Sequence, residues 1–247
     1  MNILEVCCGG YEDALNASAA GAERIELNSA LFLGGLTPTL SSLRLIKQNT
    51  NLKVICMVRP RGSGFCYSEV EFQEIQNSAR MLLENGADGL SFGFLTKNAK
   101  IDLEKTRKIV ELVHSYNREA VFHRAFDCST AAMQNIYKLV DLKIDRLLTS
   151  GLHTTAFEGR RYLQQMQTVF GQQIEILAGS GINPANVLQI MNETGIKQVH
   201  ASCTELISDQ TAQGNQADFS YWPMQPKGSH EVVSEFKVEQ LLSAINK

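Results

Sequence analysis

The stretches AAGAERIEL (residues 19–27) and ENGADGLSF (84–92) follow one plan: a helix end, then Gly, Ala, an acidic residue and a strand. ETGIKQVHA (193–201) is a looser third copy. Between and around these copies lie five more short apolar runs: ILEVC (3–7), KVICMV (53–58), EAVFH (119–123), DRLLTS (145–150) and IEILA (174–178). With RIELN (24–28), DGLSF (88–92) and KQVHA (197–201) they make eight candidate strands, whose starts are 21 to 35 residues apart. That spacing is one strand, one helix and two loops. A repeated βα unit implies strands that all run parallel. Eight units in this length fit a closed (β/α)8 barrel of the TIM type better than an open doubly wound sheet, which stays as the alternative.

Helix ends are legible between the strands. Ser68 with Glu71 reads as a capping box. Asn183-Pro184 reads as an N-cap followed by Pro at the first helical position. Gly21, Gly86, Gly171 and Gly195 read as helix terminators. After the eighth strand the pattern lapses. Residues 203–230 are polar, Gln-rich and read as a long loop without structure of its own, the kind that is usually functional or mobile. A last amphipathic helix follows, with Ser234 as its cap and Phe236, Val238, Leu241, Leu242 and Ile245 as its apolar side. Residues 1–247 are expected to form one domain with no linker.

Composition narrows the class of protein. The 247 residues are 44% hydrophobic and 20% charged with a net charge of −3, the profile of an ordinary soluble globule. With no basic stripe, nucleic acid and anionic membranes are not expected as partners. No apolar stretch approaches the ~20 residues of a membrane span. MNILEVCC is too short and too uncharged for a signal peptide, so a cytoplasmic location is expected. The six cysteines have no C-x-x-C spacing, which argues against a zinc knuckle or a thioredoxin motif. Taken singly, each reads as a reduced thiol used as a small hydrophobe. No nucleotide cofactor is expected.

In such a barrel the functional face is built at the strand C-termini and the loops after them. Those ends carry Glu5 and Cys7, Glu26 and Asn28, Arg59 and Arg61, Ser91 and Gly93, His123 and Arg124, Thr149 and Ser150, Gly179-Ser180-Gly181, and His200 with Ser202. Alternation sends Ile25 and Leu27 toward the helices and Arg24, Glu26 and Asn28 into the barrel; Glu5 opposes Leu4 and Val6 in the same way. Buried ions cost several kcal/mol each unless partnered, so opposite charges meeting at one mouth would satisfy one another and hold a polar or anionic ligand. A structural ion network is the plainer alternative for Glu5, Arg24 and Glu26, Arg24 lying nearest the bottom of its strand, and a satisfied core histidine is the plainer alternative for His123 and His200. The small residues Gly179, Ser180 and Gly181, ahead of the helix expected at Asn183, suit backbone contact with an anion. Arg59 is expected to aim inward and Arg61 to lie over the mouth, where bidentate contact with carboxylate or phosphate suits arginine. Solvated cations on a surface loop are the plainer alternative.

The stretches LEVCC, GAERIELNSALFLGGLTPTL, MVRPRGSGFCYSEVEF, GADGLSFGFLT, VFHRAFD, DRLLTSG, ILAGSGI and VHAS resemble the CutC copper homeostasis family, in order over residues 3–202 and again in the last helix. The resemblance implies a (β/α)8 barrel, a cytoplasmic location, a homodimer and a role in copper handling. It marks Glu5, Arg24, Glu26, Arg59, Arg61, His123, Arg124, Asp127, Ser150 and Gly151. Two departures matter: Asn28 stands where the family reads Cys, and Gly62-Ser63-Gly64 stands where it often reads Gly-Gly-Asp. Losing a thiol at position 28 weakens a copper site, because Cu(I) prefers sulfur. Cys7 and Cys8 are then the candidate metal ligands, with Cys66 and Met57 behind them. As neighbours in a strand, Cys7 and Cys8 should point to opposite faces.

Two functions follow. One is copper homeostasis with Cu(I) on cysteine. The other is an enzyme of unspecified reaction acting on a small carboxylate or phosphate. There Arg59, Arg61, Arg124, Asp127, Ser150, Gly179, Ser180 and Gly181 would form the binding set, and Glu5, Glu26 and His123 the catalytic set.

Overall fold

The structure, a computed structural model, describes residues 2–219, 226 and 228–246. Eight parallel strands close into a barrel in sequence order: β1 (Ile3–Cys8), β2 (Arg24–Leu27), β3 (Lys53–Met57), β4 (Gly89–Phe92), β5 (Glu119–Phe122), β6 (Arg146–Thr149), β7 (Glu175–Gly179) and β8 (Gln198–Ala201). The helices between them are α1 (Tyr11–Ala19), α2 (Leu40–Asn49), α3 (Glu69–Glu84), α4 (Leu103–Ser115), α5 (Ala132–Asp141), α6 (Arg160–Phe170) and α7 (Val187–Thr194). A final helix, α8 (Glu235–Ile245), follows the strands β9 (Thr204–Ser208) and β10 (Ser229–Val233). The fold is thus the (β/α)8 barrel, and the open sheet is excluded by the β1–β8 pairing that closes the ring.

Alternation splits the strands into two environments. Outward residues such as Val6, Cys8, Ile25, Leu27, Phe92, Phe122 and Val199 join the helices in one large apolar layer. Inward residues Ile55, Val121, Leu148 and Leu177 form a separate small apolar cluster inside the barrel. Below that cluster, at the strand N-termini, lies an ion network. Arg146 reaches Glu175 at 2.9 Å, Glu119 at 3.0 Å and Glu5 at 3.8 Å; Arg24 reaches Glu5 at 2.7 Å, and Lys53 pairs with Glu119. Arg146 is 1% exposed, so its charge is tolerable only because carboxylates surround it. The network confirms Arg24 as a structural ion.

Local signals behave as their chemistry requires. The Ser68 hydroxyl accepts the Glu71 N–H and the Glu71 carboxylate accepts the Ser68 N–H, the reciprocal capping box. Gly21, Gly86 and Gly195 take positive φ at helix ends, whereas Gly171 stays right-handed at −60°. Three expectations are corrected. Asn183-Pro184 opens a turn, and α7 begins only at Val187. Phe236 is 65% exposed, so the apolar side of α8 is Val238, Leu241, Leu242 and Ile245. The 203–230 segment is not a structureless loop: β9 and β10 pair antiparallel, from Ser229 opposite Ser208 to Val233 opposite Thr204. Most of β9 faces solvent, which erased the apolar alternation that would have revealed it. The buried Asp13 carboxylate holds this hairpin down, accepting the Val233 N–H on one oxygen and the Gly9 N–H on the other. Residues 220–225 and 227, part of the same stretch, lie outside the described residues.

Candidate functional site

A cavity of about 350 Å³ opens at the strand C-termini. Leu148 and Met57 contribute apolar wall, and Cys7, Glu26, His123 and His200 bring the reactive groups. A larger hollow of about 570 Å³ lies between the start of α1 and the hairpin, lined by Phe32 and Phe219 among others. The convergent buried ionisable groups are in the smaller one.

One side of the mouth is built by β1, β2 and β8. His200 Nδ1 lies 2.9 Å from Glu5 Oε1, and His200 Nε2 lies 3.9 Å from Glu26 Oε2. The donor atoms of Cys7, Glu26 and His200 all lie within 4.8 Å of one another. Asn28 Nδ2 donates to Glu26 Oε2 at 3.1 Å and sits 3.5 Å from Cys7 Sγ. Glu26 Oε1 and Asn28 Oδ1 are buried with no protein partner. Burial raises the Glu5 carboxyl, but Arg24, His200 and Arg146 outweigh it and hold the pKa at about 2. Burial likewise opposes a charged His200, yet Cys7, Glu5 and Glu26 around the ring raise its pKa well above the ordinary value. Burial raises the Cys7 thiol, only partly offset by His200. The surroundings thus favour the protonated form of both the imidazole and the thiol.

The opposite side is built by β3 and β5. His123 Nδ1 accepts the Ala125 N–H at 3.1 Å, so the ring proton sits on Nε2, which is buried without a partner. Burial, reinforced by the Arg59 charge, lowers the His123 pKa to about 3. The ring is thus a neutral hydrogen-bond donor. Gly93 makes room for it, since a Cβ there would lie 2.6 Å from the ring. Arg59 is 5% exposed and has no carboxylate partner among the described residues. Its guanidinium instead donates to the carbonyls of Leu33 (2.8 Å), Gly35 (3.0 Å) and Ser63 (2.7 Å), while Nε finds none.

The cavity wall also includes Arg124, Ser180 and Gly181. Other expected site residues are placed elsewhere. Cys8 is buried on the outer face of β1, so it does not share a ligand with Cys7. Arg61 pairs with Glu71, and its guanidinium stacks 5.0 Å over Tyr67, away from the mouth. Asp127 is consumed by the loop after β6: it accepts from Thr149, from the N–H groups of Ser150 and Leu152, and from Arg124 Nε at 2.9 Å. Ser150 is spent on Asp127 and the His153 carbonyl. Gly179 gives packing space, since a Cβ would lie 2.7 Å from Leu148. Cys66 is exposed and off the cavity. The reading of His200 as a core histidine missed its place at the centre; alternation in KQVHA, with Val199 and Ala201 outward, carried the signal.

By these features the chain is a TIM-type (β/α)8 barrel protein whose C-terminal mouth gathers thiol, imidazole, carboxylate and guanidinium groups around a cavity of small-molecule size. Residues 2–205 match the CutC family, and the chain belongs to it. A CutC family protein of Treponema denticola is 42% identical over 212 residues, spanning 86% of this chain and 85% of its own. The copper homeostasis protein cutC homolog of Mus musculus is 37% identical over 200 residues, 81% of this chain and 73% of its own. A crystal structure of a Streptococcus agalactiae protein assigned to copper homeostasis as CutC superposes with a TM-score of 0.77 at 29% identity, covering 82% of this chain and 99% of that one. Among the described residues, no helix is long and apolar enough to cross a membrane.

Proposed function

We propose that the protein serves copper homeostasis in the manner its family name implies, and that Cu(I) is held at the mouth by Cys7 and His200 with Glu26 beside them. The observation that carries this reading is the convergence of those three donor atoms within 4.8 Å. Glu5 strengthens it: a ligating histidine usually gives its second ring nitrogen to a carboxylate, as His200 Nδ1 does. Cys7 supplies the soft sulfur, and Asn28 in place of a second thiol makes the site a weaker one for Cu(I). Metal entry expels the protons on Cys7 and His200, so affinity rises with pH. A cytoplasmic location and a homodimer belong to the same proposal. Reduced thiols support the first, and exposed Phe32, Leu33, Leu206 and Ile207 supply apolar surface for the second.

The test is an anaerobic Cu(I) titration against a chromophoric chelator. One equivalent should be retained by the wild type, lost in Cys7→Ser and kept in Cys8→Ser. Failure of the wild type to compete, or indifference to Cys7→Ser, would overturn the copper site.

A second reading is favoured by a separate observation: Arg59, a buried cation with no counter-ion among the described residues, lines the same cavity as His123, whose Nε2–H is unpartnered. These suit a small anion, with the protein acting as an enzyme on a carboxylate or phosphate compound. Thermal-shift screening of such anions tests it; no stabilisation by any of them would count against it.

A further inference from the structure

The turn after β7 holds three backbone N–H groups, those of Ser180, Gly181 and Ile182, with no acceptor among the described residues. Three other polar groups of the turn are already engaged. The Ser180 hydroxyl donates to the Thr154 carbonyl at 2.8 Å, and the Ser180 carbonyl accepts the Ala156 N–H at 2.9 Å. The Gly181 carbonyl accepts from Asn186 Nδ2 at 2.8 Å. The start of α7 is not the anion donor that the sequence implied, because Asn186 Oδ1 caps the Asn183 N–H and Asn183 Oδ1 caps the Ala185 N–H. Ser180 and Gly181 both hold positive φ, 82° and 70°. For serine this conformation is strained, by about 1–3 kcal/mol, and it persists only where surrounding contacts impose it. Successive amides in such a turn form a concavity that receives anions.

A second observation shows where the rest of a ligand would go. In the eight-stranded ring, β7 stands opposite β3, which carries Arg59 at its end. Arg59, His123 and the Ser180–Ile182 turn line one cavity of about 350 Å³. The far wall thus offers a buried cation with no counter-ion among the described residues and a neutral imidazole N–H that needs an acceptor. A molecule bridging the mouth would need a compact anion at one end and a carbonyl or carboxylate oxygen at the other.

We propose that the Ser180–Gly181–Ile182 turn is a phosphate cradle, and that the ligand is a small soluble phosphate ester whose carbonyl or carboxylate end meets His123 Nε2 beside Arg59. This deepens the small-anion reading and rests on it.

The test uses the full-length, metal-free protein labelled with ¹⁵N, and the probes are inorganic phosphate, 3-phosphoglycerate and glycerate. Phosphate should produce saturable shifts concentrated at the amides of Ser180, Gly181 and Ile182. The 3-phosphoglycerate should move those amides together with the His123 ring and the Arg59 Nε–H, and should bind about tenfold or more tightly than glycerate. Shifts at His123 and Arg59 that leave the turn unmoved, or equal affinity for the two organic probes, would overturn the phosphate cradle while sparing the small-anion reading. Silence of both walls toward all three probes, or shifts confined to exposed lysines from an adventitious ion only, would overturn both. Gly181→Ala places a Cβ at positive φ, 3.2 Å from Thr155, and should weaken phosphate binding about tenfold in a protein whose other amide signals are unchanged. Unchanged affinity in that variant would also count against the cradle.

Discussion

The Glu5 carboxylate joins the two ends of the barrel interior: one oxygen lies 2.9 Å from His200 Nδ1 at the mouth, and the other lies 2.7 Å from Arg24 Nε in the ion network below. A single buried side chain therefore couples the structural base of the lumen to its reactive rim.

The Glu5 contact is, after the one with Cys7, among those that favour the protonated form of His200. Its pKa is raised, so the stability it contributes is full below the ordinary histidine value and is lost as pH rises through the folded value. In metal-free Glu5→Gln, burial is left with weaker opposition and the imidazole should become neutral at a lower pH than in the wild type. Imidazole ¹⁵N shifts followed from pH 5 upward would show it. Identical titrations of wild type and variant would mean that Glu5 does not hold the proton.

His123 behaves with the opposite sign. Its folded pKa of about 3 lies below the unfolded value, so its contribution is full above about pH 6.5 and is lost as pH falls toward 3. Between pH 6.5 and 4.5 the wild type should lose about 2–3 kcal/mol more than His123→Leu, which has no proton to take up. Urea unfolding of both proteins at the two pH values measures the difference, and parallel losses would contradict a neutral buried ring.

The ion network should be strongly unequal in its parts. Arg146→Met removes a buried cation from among three carboxylates and should cost about 3 kcal/mol. Glu175→Gln touches the same network from a half-exposed side chain and should cost less than about 1 kcal/mol. Chemical denaturation separates them, and equal costs would show that the network is not organised around Arg146.

Glycine positions give a steric test. At Gly93 a Cβ would meet the His123 ring at 2.6 Å, so Gly93→Ala should lose about 1–3 kcal/mol and displace the imidazole. Gly64→Ala, with nothing within 4 Å, should be nearly neutral. Thermal midpoints and the His123 ring signals report both, and an unperturbed ring in Gly93→Ala would refute the close approach.

Much of the site was readable because strand alternation is a local rule. RIELN placed Ile25 and Leu27 outward and Arg24, Glu26 and Asn28 inward without knowledge of any partner. The same rule, carried through DRLLTS and KQVHA, marks Arg146 and His200 as inward residues. Alternation stops at the strand end, and there the sequence misled. Arg61, Asp127 and Ser150 stand just past strands and looked like rim ligands, but each is used up holding loops. The β9–β10 hairpin was invisible for a related reason: a strand pair standing mostly in solvent has no buried face to imprint on its residues.

The chain's order of residues determined by itself the repeated βα unit, the face each strand residue takes and the separation of Cys7 from Cys8, since backbone geometry enforces these over a few residues. Only the closed barrel decided that Cys7, Glu26 and His200 come together and that, among the described residues, Arg59 has no counter-ion and the Ser180–Ile182 amides have no acceptor. Distances and charge balance between groups far apart in sequence exist only once the ring has closed, and burial then gives them their force.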